Sequence, residues 1–417
     1  MKTIFDAKLK VLDLSMGWAG PLVGQMFAEM GAEVIKVEDT HHFDWWRGSL
    51  SMAPPDMQPI ERAAVFNTAN RGKRGVTLDL ASPRGIEILG RLIKVSDLLI
   101  ENFSPGVMDR LGLGYGAVSA INPRMIMISM PSFGSDGPES NARGYGNTVE
   151  AMAGVTGLTG YHDGIGQHYT LSNALGDPVA GLQGVFALMV ALRERERSGR
   201  GQWIELAQVE TLIPFVTEGI LEHQFTGKAP LLRGNRHREH APHGIYRCGG
   251  DDNWIAIACE TDDQWRGLAS ALALDHLVDD KRFANAQARK GNEDALDAEL
   301  SRTLAQTSLD ESVASLQACG VLAAPVNSAP AVMGDPQLQS RDYFVPIERA
   351  VVGTHLYPGP VARIPETPLR ADVPAPLLGE HNHQVFREML AMTEEEIAEL
   401  ERIGVIGSSP RQYRAAS

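Results

Sequence analysis

The group in this chain best suited to covalent chemistry is a carboxylate at the start of a helix. Asp177 stands in Ala174-Leu175-Gly176-Asp177-Pro178. Proline fits the first helical position, so the sequence predicts Asp177 as the residue capping that helix. A capping aspartate is common and purely structural. The same placement also describes a carboxylate held ionised against backbone N–H groups, able to attack an activated carbonyl such as a thioester and form a mixed anhydride. Gly176 and Gly181 would let a substrate or another backbone approach closely, or would serve helix packing.

A second concentration of reactive side chains lies between residues 233 and 244. Arg233, Arg236 and Arg238 alternate with His237, His240 and His243. One arginine there could hold a carboxylate; the plainer reading is an exposed connecting loop. Pro242 interrupts any helix that would align the histidines, so no metal site is expected. The three cysteines, Cys248, Cys259 and Cys319, form no CxxC pair. They suggest neither a disulfide framework nor a zinc ribbon, and a reducing cytoplasm is the expected location.

Composition narrows the class further. The 38 Lys+Arg against 52 Asp+Glu give a formal charge of -14, which argues against nucleic acid and anionic membranes as partners. Hydrophobic residues at 43% and charged residues at 22% suit a compact globular enzyme. At 417 residues, two domains are expected. No signal-peptide core and no long apolar run appear, so neither secretion nor a membrane span is expected.

The elements that must position these groups read as βαβ units. Strands are expected at Lys10 to Leu14, Ala32 to Val37, Gly75 to Leu80, Asp97 to Ile100, Met125 to Met130 and Trp203 to Ala207. A glycine-rich turn, Gly17 to Pro21, should lead into a helix from Leu22 to Met30; Ser82 to Val95 and Pro178 to Arg195 should also be helical. This pattern implies a Rossmann-like, mainly parallel sheet, with ligands at the carboxyl ends of the strands. Residues 1–215 form the expected N-terminal part of the large domain, and 226–328 a smaller α+β domain. Residues 335–417 should return to the large domain, with an extended, exposed proline-rich strap from Pro358 to Pro376 and a last helix capped by Thr393.

Many short pieces in order resemble the class III CoA-transferases, the family of formyl-CoA:oxalate and L-carnitine CoA-transferases. They include Ala19-Gly20-Pro21, Gly31 to Glu38, Asn70 to Arg74, Glu101 to Gly106, Asp109 to Gly112, Asn122 to Arg124, Ala174 to Asp177, Arg195 to Gln202 and Pro376 to His381. The resemblance covers nearly the whole chain. It implies Asp177 as nucleophile, passing through an acyl anhydride, an aspartyl-CoA thioester and a second anhydride with the acceptor acid. It also implies an interlocked homodimer, or a pairing with a homologous second subunit. Carried over by position, Lys73, Asn102, Phe103 and Arg110 would meet coenzyme A, with Ala19 and Gly20 near the thioester.

Three departures bear on the substrate. Trp18 stands where the formyl-CoA enzyme has a glutamine, Asn147 where it has a glutamate, and residues 234–244 replace its tetraglycine loop. Oxalate is therefore not the expected acceptor. Trp18, Trp45, Trp46 and Tyr145 suggest a large apolar pocket, with Asn147 and Arg236 as further substrate contacts. A dicarboxylic or aryl-bearing acid with succinyl-CoA as donor is expected. Two other functions compete. The α-methylacyl-CoA racemases share the fold but need a Gly-His-Asp histidine, where this chain has Gly144-Tyr145-Gly146-Asn147; His162 and His168 lie nearby. A non-catalytic CoA-binding subunit is the other, and Asp177 argues against it.

Overall fold

The computed structural model of the chain describes residues 3–48, 59–161, 167–169 and 174–411. Its centre is a six-stranded parallel sheet built from β1 (Lys10–Asp13), β2 (Glu33–Glu38), β3 (Arg74–Thr77), β4 (Leu98–Glu101), β5 (Ile126–Ser129) and β6 (Trp203–Glu205), in the order β3-β2-β1-β4-β5-β6. Successive side chains of a strand point to opposite faces, and here both faces are buried, as a parallel sheet requires. Val11, Val34, Ile100 and Ile128 pack under α1 (Ala19–Glu29) and α4 (Gly176–Ser198); Leu12, Ile35, Val76 and Leu99 pack under α2 (Pro83–Lys94) and the C-terminal helices around Phe386 and Leu400.

The order of the strands decides where a ligand can sit. The chain leaves β1 toward β2 on one side and later returns to β4 on the other. The loops after β1 and β4 therefore diverge and leave a crevice at the carboxyl ends of these two neighbouring strands. Met16 to Trp18 and Asn102 to Ser104 occupy those loops.

Some expected boundaries move. The helix after β1 begins at Ala19 rather than Leu22, so Ala19, Gly20 and Pro21 form its first turn; proline is tolerated there because first-turn N–H groups have no intrahelical partner. The helix expected from Pro178 begins at Gly176 with Leu175 at the cap, so Asp177 lies inside the first turn and does not cap its own helix. Thr393 does cap the last helix, accepting from Glu396 N–H. The proline-rich strap leaves the strand at Pro358, turns where Thr367 N–H donates to the Ile364 carbonyl at 3.2 Å, and its far end is not exposed. Ala371 and Ala375 are buried, and the Arg349 guanidinium donates to the Ala375 carbonyl at 2.9 Å.

The chain divides into two compact units, residues 1–156 with 170–221 and 342–417, and residues 157–169 with 222–341. The second has a three-stranded antiparallel sheet, His243–Arg247, Trp254–Ala258 and Leu322–Pro325, with the middle strand central. Helices Asp262–Ala271 and Glu293–Leu304 supply Trp265, Leu268, Leu296 and Leu300 to its own core. Among the described residues, no helix is long and apolar enough to cross a membrane.

Candidate active site

Asp177 is placed by the contact of two helices. A side chain on Gly181, one turn further along α4, would press on the Ala19 carbonyl and on Leu22 of α1. Its absence lets the helices touch, which brings the start of α4 against the start of α1. The Asp177 carboxylate consequently faces the backbone N–H of Ala19, which favours its charge. It thus stands at the start of α1, the helix of another βα unit, where an orphan N–H and the positive end of the helix dipole favour a negative charge. On its other side lies α3 (Gly146–Met152). A Cβ on Gly146 would collide with Asp177 Oδ2 and with Ala174, so only glycine fits there. Ala174 itself holds a left-handed φ of 42°, a strained conformation for alanine.

The environment makes this carboxylate more basic than usual. Burial pushes Asp177 up to about 6, the Ala19 N–H opposes that shift, and the charge of Glu150 adds to it. Desolvation outweighs the N–H. Around neutral pH it is still mainly ionised, and a more basic carboxylate is a better nucleophile.

Asp177 faces a cavity of about 850 Å³. Trp18, Asn102, Phe103, Tyr145 and Asn147, all singled out from the sequence, line it with Asp177, together with Trp45, Trp46, Met16, Val65, Ser132 and Gln208. The aromatic rings form one wall. Trp18 and Trp46 lie 5.4 Å apart between centroids, Trp45 meets Trp46 edge-on at 6.0 Å, and Tyr145 meets Trp45 edge-on at 5.7 Å. A buried ionic network beneath holds this wall. Asp44 accepts the N–H groups of Gly17 (2.9 Å) and Trp46 (3.0 Å) and pairs with Lys36 Nζ at 2.9 Å. Glu38 accepts Asp44 N–H at 3.0 Å and binds Arg47 at 2.8 Å. Asn102 ties the β4 loop to the β1 loop, donating to the Met16 carbonyl at 2.8 Å and accepting Met16 N–H at 2.9 Å.

A second cavity, of about 920 Å³, shares Met16 and Phe103 with the first and runs along Leu14, Asp39, His41, Leu78 and Leu111. Arg110, exposed at the end of the short helix Val107–Arg110, directly precedes Leu111.

Two expected contacts sit elsewhere. Lys73 is buried and lines neither cavity: its ammonium donates to Asp13 (2.7 Å), Asn70 Oδ1 (2.7 Å) and the Pro21 carbonyl (2.8 Å), and burial lowers its pKa to about 8. All three donors are used inside, so no phosphate pairs with it in this arrangement. Arg236 belongs to the second unit, where its Nη2 lies 2.7 Å from both Asp294 and Asp297, in a cavity of about 640 Å³ with Arg233 and Lys290. His237 in the same segment stacks on His240 at 4.5 Å, and among the described residues no cluster of His, Cys, Asp or Glu could hold a metal ion. His162 lies outside the described residues; His168 belongs to the second unit.

Glu150, Ser132 and Gln208 were not found by sequence reasoning. Glu150 carries one faint signal, its position four residues after Gly146, which places both on one helical face.

A parallel sheet with a crevice at its switch point, and a buried aspartate beside a large cavity, define an α/β protein with a carboxylate facing a candidate binding site. The profile of CoA-transferase family III matches residues 7–382, and the chain belongs to that family. The succinyl-CoA–D-citramalate CoA-transferase of Chloroflexus aurantiacus is 32% identical over 402 residues, covering 95% of this chain and 97% of that protein. The beta subunit of the succinyl-CoA–L-malate CoA-transferase of the same organism is 31% identical over 404 residues, covering 96% and 98%. A crystal structure of a CAIB/BAIF family protein from Brucella suis superposes with a TM-score of 0.85 at 34% identity, covering 93% of this chain and all of that one.

Proposed function

We propose that this enzyme moves CoA from an acyl-CoA to a free carboxylic acid, with Asp177 as the covalent carrier. An Asp177 oxygen attacks the thioester carbonyl, a C–O bond forms, the C–S bond breaks, and CoA departs as thiolate. The thiolate then attacks the aspartyl carbonyl, releasing the donor acid as carboxylate and leaving an aspartyl-CoA thioester. The acceptor carboxylate repeats the attack, expelling the thiolate and forming a second anhydride. The thiolate finally takes the acceptor acyl group, and Asp177 returns as carboxylate. No net proton is needed, which suits a cavity without a histidine among its described lining residues.

The observation that carries this reading is Asp177, raised to about 6 and facing a cavity whose neighbour could hold the rest of a long thioester. In this arrangement the larger unit binds CoA, with Phe103 between the two cavities and Arg110 near the outer one. The same absence of a lining histidine tells against a racemase, which needs a second acid–base group.

The acceptor is read as a dicarboxylic or aryl-bearing acid: both relatives have a dicarboxylic acid in their names, and aromatic rings face the cavity. Trp45 and Tyr145 are 53% and 67% exposed beside the cavity, an apolar area suited to a ring, and the described lining contains no lysine, arginine or histidine to meet a second carboxylate. Succinyl-CoA is the proposed donor, in keeping with the names of both relatives. The three free cysteines accord with a reducing cytoplasm. The test is a panel in which succinyl-CoA and acetyl-CoA are offered with cinnamate, 3-phenylpropionate, glutarate and oxalate, and CoA esters are followed by mass spectrometry. Glutarate or the aryl acids should exceed oxalate at least about tenfold in kcat/KM, since burial of a ring or of extra methylenes is worth on the order of 1.5 kcal/mol or more. Preference for oxalate would reverse the assignment. Asp177→Ala should end all transfer, and hydroxylamine should trap the wild-type aspartyl thioester at residue 177 alone. Transfer by the purified chain would also remove the need for a homologous second subunit.

A further inference from the structure

Gln208 opens α5 (Gln208–Leu212), is only 6% exposed, and lines the Asp177 cavity. One end of its amide is committed. Nε2 donates to the Met130 carbonyl at 2.8 Å, and a carbonyl can only accept, so the flipped amide would set two oxygens against each other. Oε1 is the free end. It accepts no hydrogen bond among the described residues, yet it stays accessible although the side chain is almost wholly buried. Ser132 stands beside it. The N–H groups of Gln208 and Val209 donate to the carbonyls of Pro131 (3.0 Å) and Ser132 (2.9 Å), so the chain after β6 runs alongside the chain after β5. The Ser132 hydroxyl is turned toward the Gly144 carbonyl at 3.3 Å, which leaves its oxygen as a second acceptor on the cavity wall.

The order of the strands indicates what meets these oxygens. The outer cavity lies at the ends of β3, β2 and β1, where Leu78, Val37 and Leu14 line it, and joins the Asp177 cavity at Met16 and Phe103, after β1 and β4. Ser132 and Gln208 follow β5 and β6, toward the opposite edge of the sheet. A thioester whose CoA arm enters from the outer cavity therefore brings its acid portion toward them. We infer that Gln208 is a specificity-determining residue whose Oε1 accepts a hydrogen bond from a hydroxyl on the acid, so that the site selects hydroxy acids over their deoxy counterparts. This rests on the reading proposed above, in which the outer cavity holds the CoA arm and Asp177 carries the acid. An acceptor oxygen repels a carboxylate and gains nothing from a methylene. A hydroxyl satisfies it, whereas a deoxy acid that displaces water leaves a buried acceptor unpaired.

Trp18, Trp45 and Trp46 line the cavity, so quenching of tryptophan fluorescence in the full chain reports binding without turnover. The probes are malate against succinate, mandelate against phenylacetate, and 3-hydroxy-3-phenylpropionate against 3-phenylpropionate, with both enantiomers of each hydroxy acid. At least one hydroxy acid should bind about tenfold or more tighter than its deoxy partner, the size expected when a buried acceptor would otherwise go unmatched. Its methyl ether, which keeps the oxygen and loses the hydrogen, should bind no tighter than the deoxy acid. In Gln208→Met, similar in shape but without the acceptor, the preference should fall to about one while the deoxy acid keeps its affinity. Equal affinities in all three wild-type pairs would overturn the inference, as would a preference that survives in Gln208→Met. Should Gln208→Met weaken CoA and leave the acid preference intact, Gln208 reads the CoA arm and the inference fails. Near-UV circular dichroism checks the packing of the variant; if that is lost, the methyl ether decides, because it removes the donor from the ligand and leaves the protein unaltered. No transfer is read, so a failure here and a failure of Asp177 as carrier show in different experiments.

Discussion

At the scale of the residue, Asp177 sets a conflict between activity and stability. Its folded pKa, about 6, lies above the unfolded value of 3.8. Below pH 4 both states carry the proton and the group contributes nothing. Between pH 4 and 6 the unfolded chain releases the proton while the folded site keeps it, and above pH 6 the charge sits where burial resists it. Stability therefore falls as pH rises through that window, by about 3 kcal/mol. Asp177→Asn should be more stable than wild type by about that amount at pH 8 and no more stable at pH 4, as urea unfolding at the two pH values would show. Transfer runs the other way. The nucleophile must be ionised, so kcat/KM should drop about tenfold per unit below pH 6, the slope of a single essential base. A wild-type acid limb centred near pH 4 would show that the site does not raise Asp177.

At the scale of the element, the aromatic wall depends on an ionic network that nothing in the tryptophans themselves specifies. Asp44 holds Gly17 N–H, Trp46 N–H and the Lys36 ammonium together, and both ionic side chains are fully buried. Asp44→Ala would leave Lys36 buried without its partner and release both loops. Unfolding free energy should fall by about 3–5 kcal/mol, as for other broken buried pairs. Tryptophan fluorescence should shift to the red as Trp46 loosens, and KM for the acid should rise more than kcat falls. A variant of wild-type stability would mean that other contacts hold the wall. Lys73 illustrates the same principle from the opposite direction. The family resemblance implied a contact with coenzyme A, but the carboxyl end of β1 supplies Asp13, and a lysine so close to a buried carboxylate pairs inward.

At the scale of the whole molecule, one face of the larger unit lacks cover. Leu182, Phe186 and Val190 recur at four-residue intervals along α4 and are 53%, 72% and 53% exposed, and Phe215 is 62% exposed shortly after α5. Such a stripe of large side chains marks an association surface. The occupant proposed here is a second copy of the chain, in keeping with the homodimer that the family resemblance implies. Sedimentation equilibrium should give twice the 45.2 kDa chain mass. Phe186→Glu, which places a charge in the stripe, should shift the species toward the chain mass; a wild-type monomer at micromolar concentration would leave the stripe without this explanation.

Much of this molecule follows from local pattern. Short apolar runs such as Val11-Leu12 and Ile126 to Ile128, set among turn signals, read as strands buried on both faces, and the Thr393 cap with Glu396 is written in four residues. Local pattern also singled out Asp177, because the aspartate-proline pair at a helix start is visible in five residues. What it misjudged was the partner of that aspartate. Capping is a local inference, and the N–H that Asp177 faces belongs to Ala19, far away in sequence and brought near by packing at Gly181. Glu150 was invisible for the same reason: its spacing from Gly146 matters only once Gly146 lies against Asp177. Residue type and period are encoded along the chain, whereas the charge that one buried carboxylate feels from another depends on the distance between them in space, which the tertiary structure alone decides.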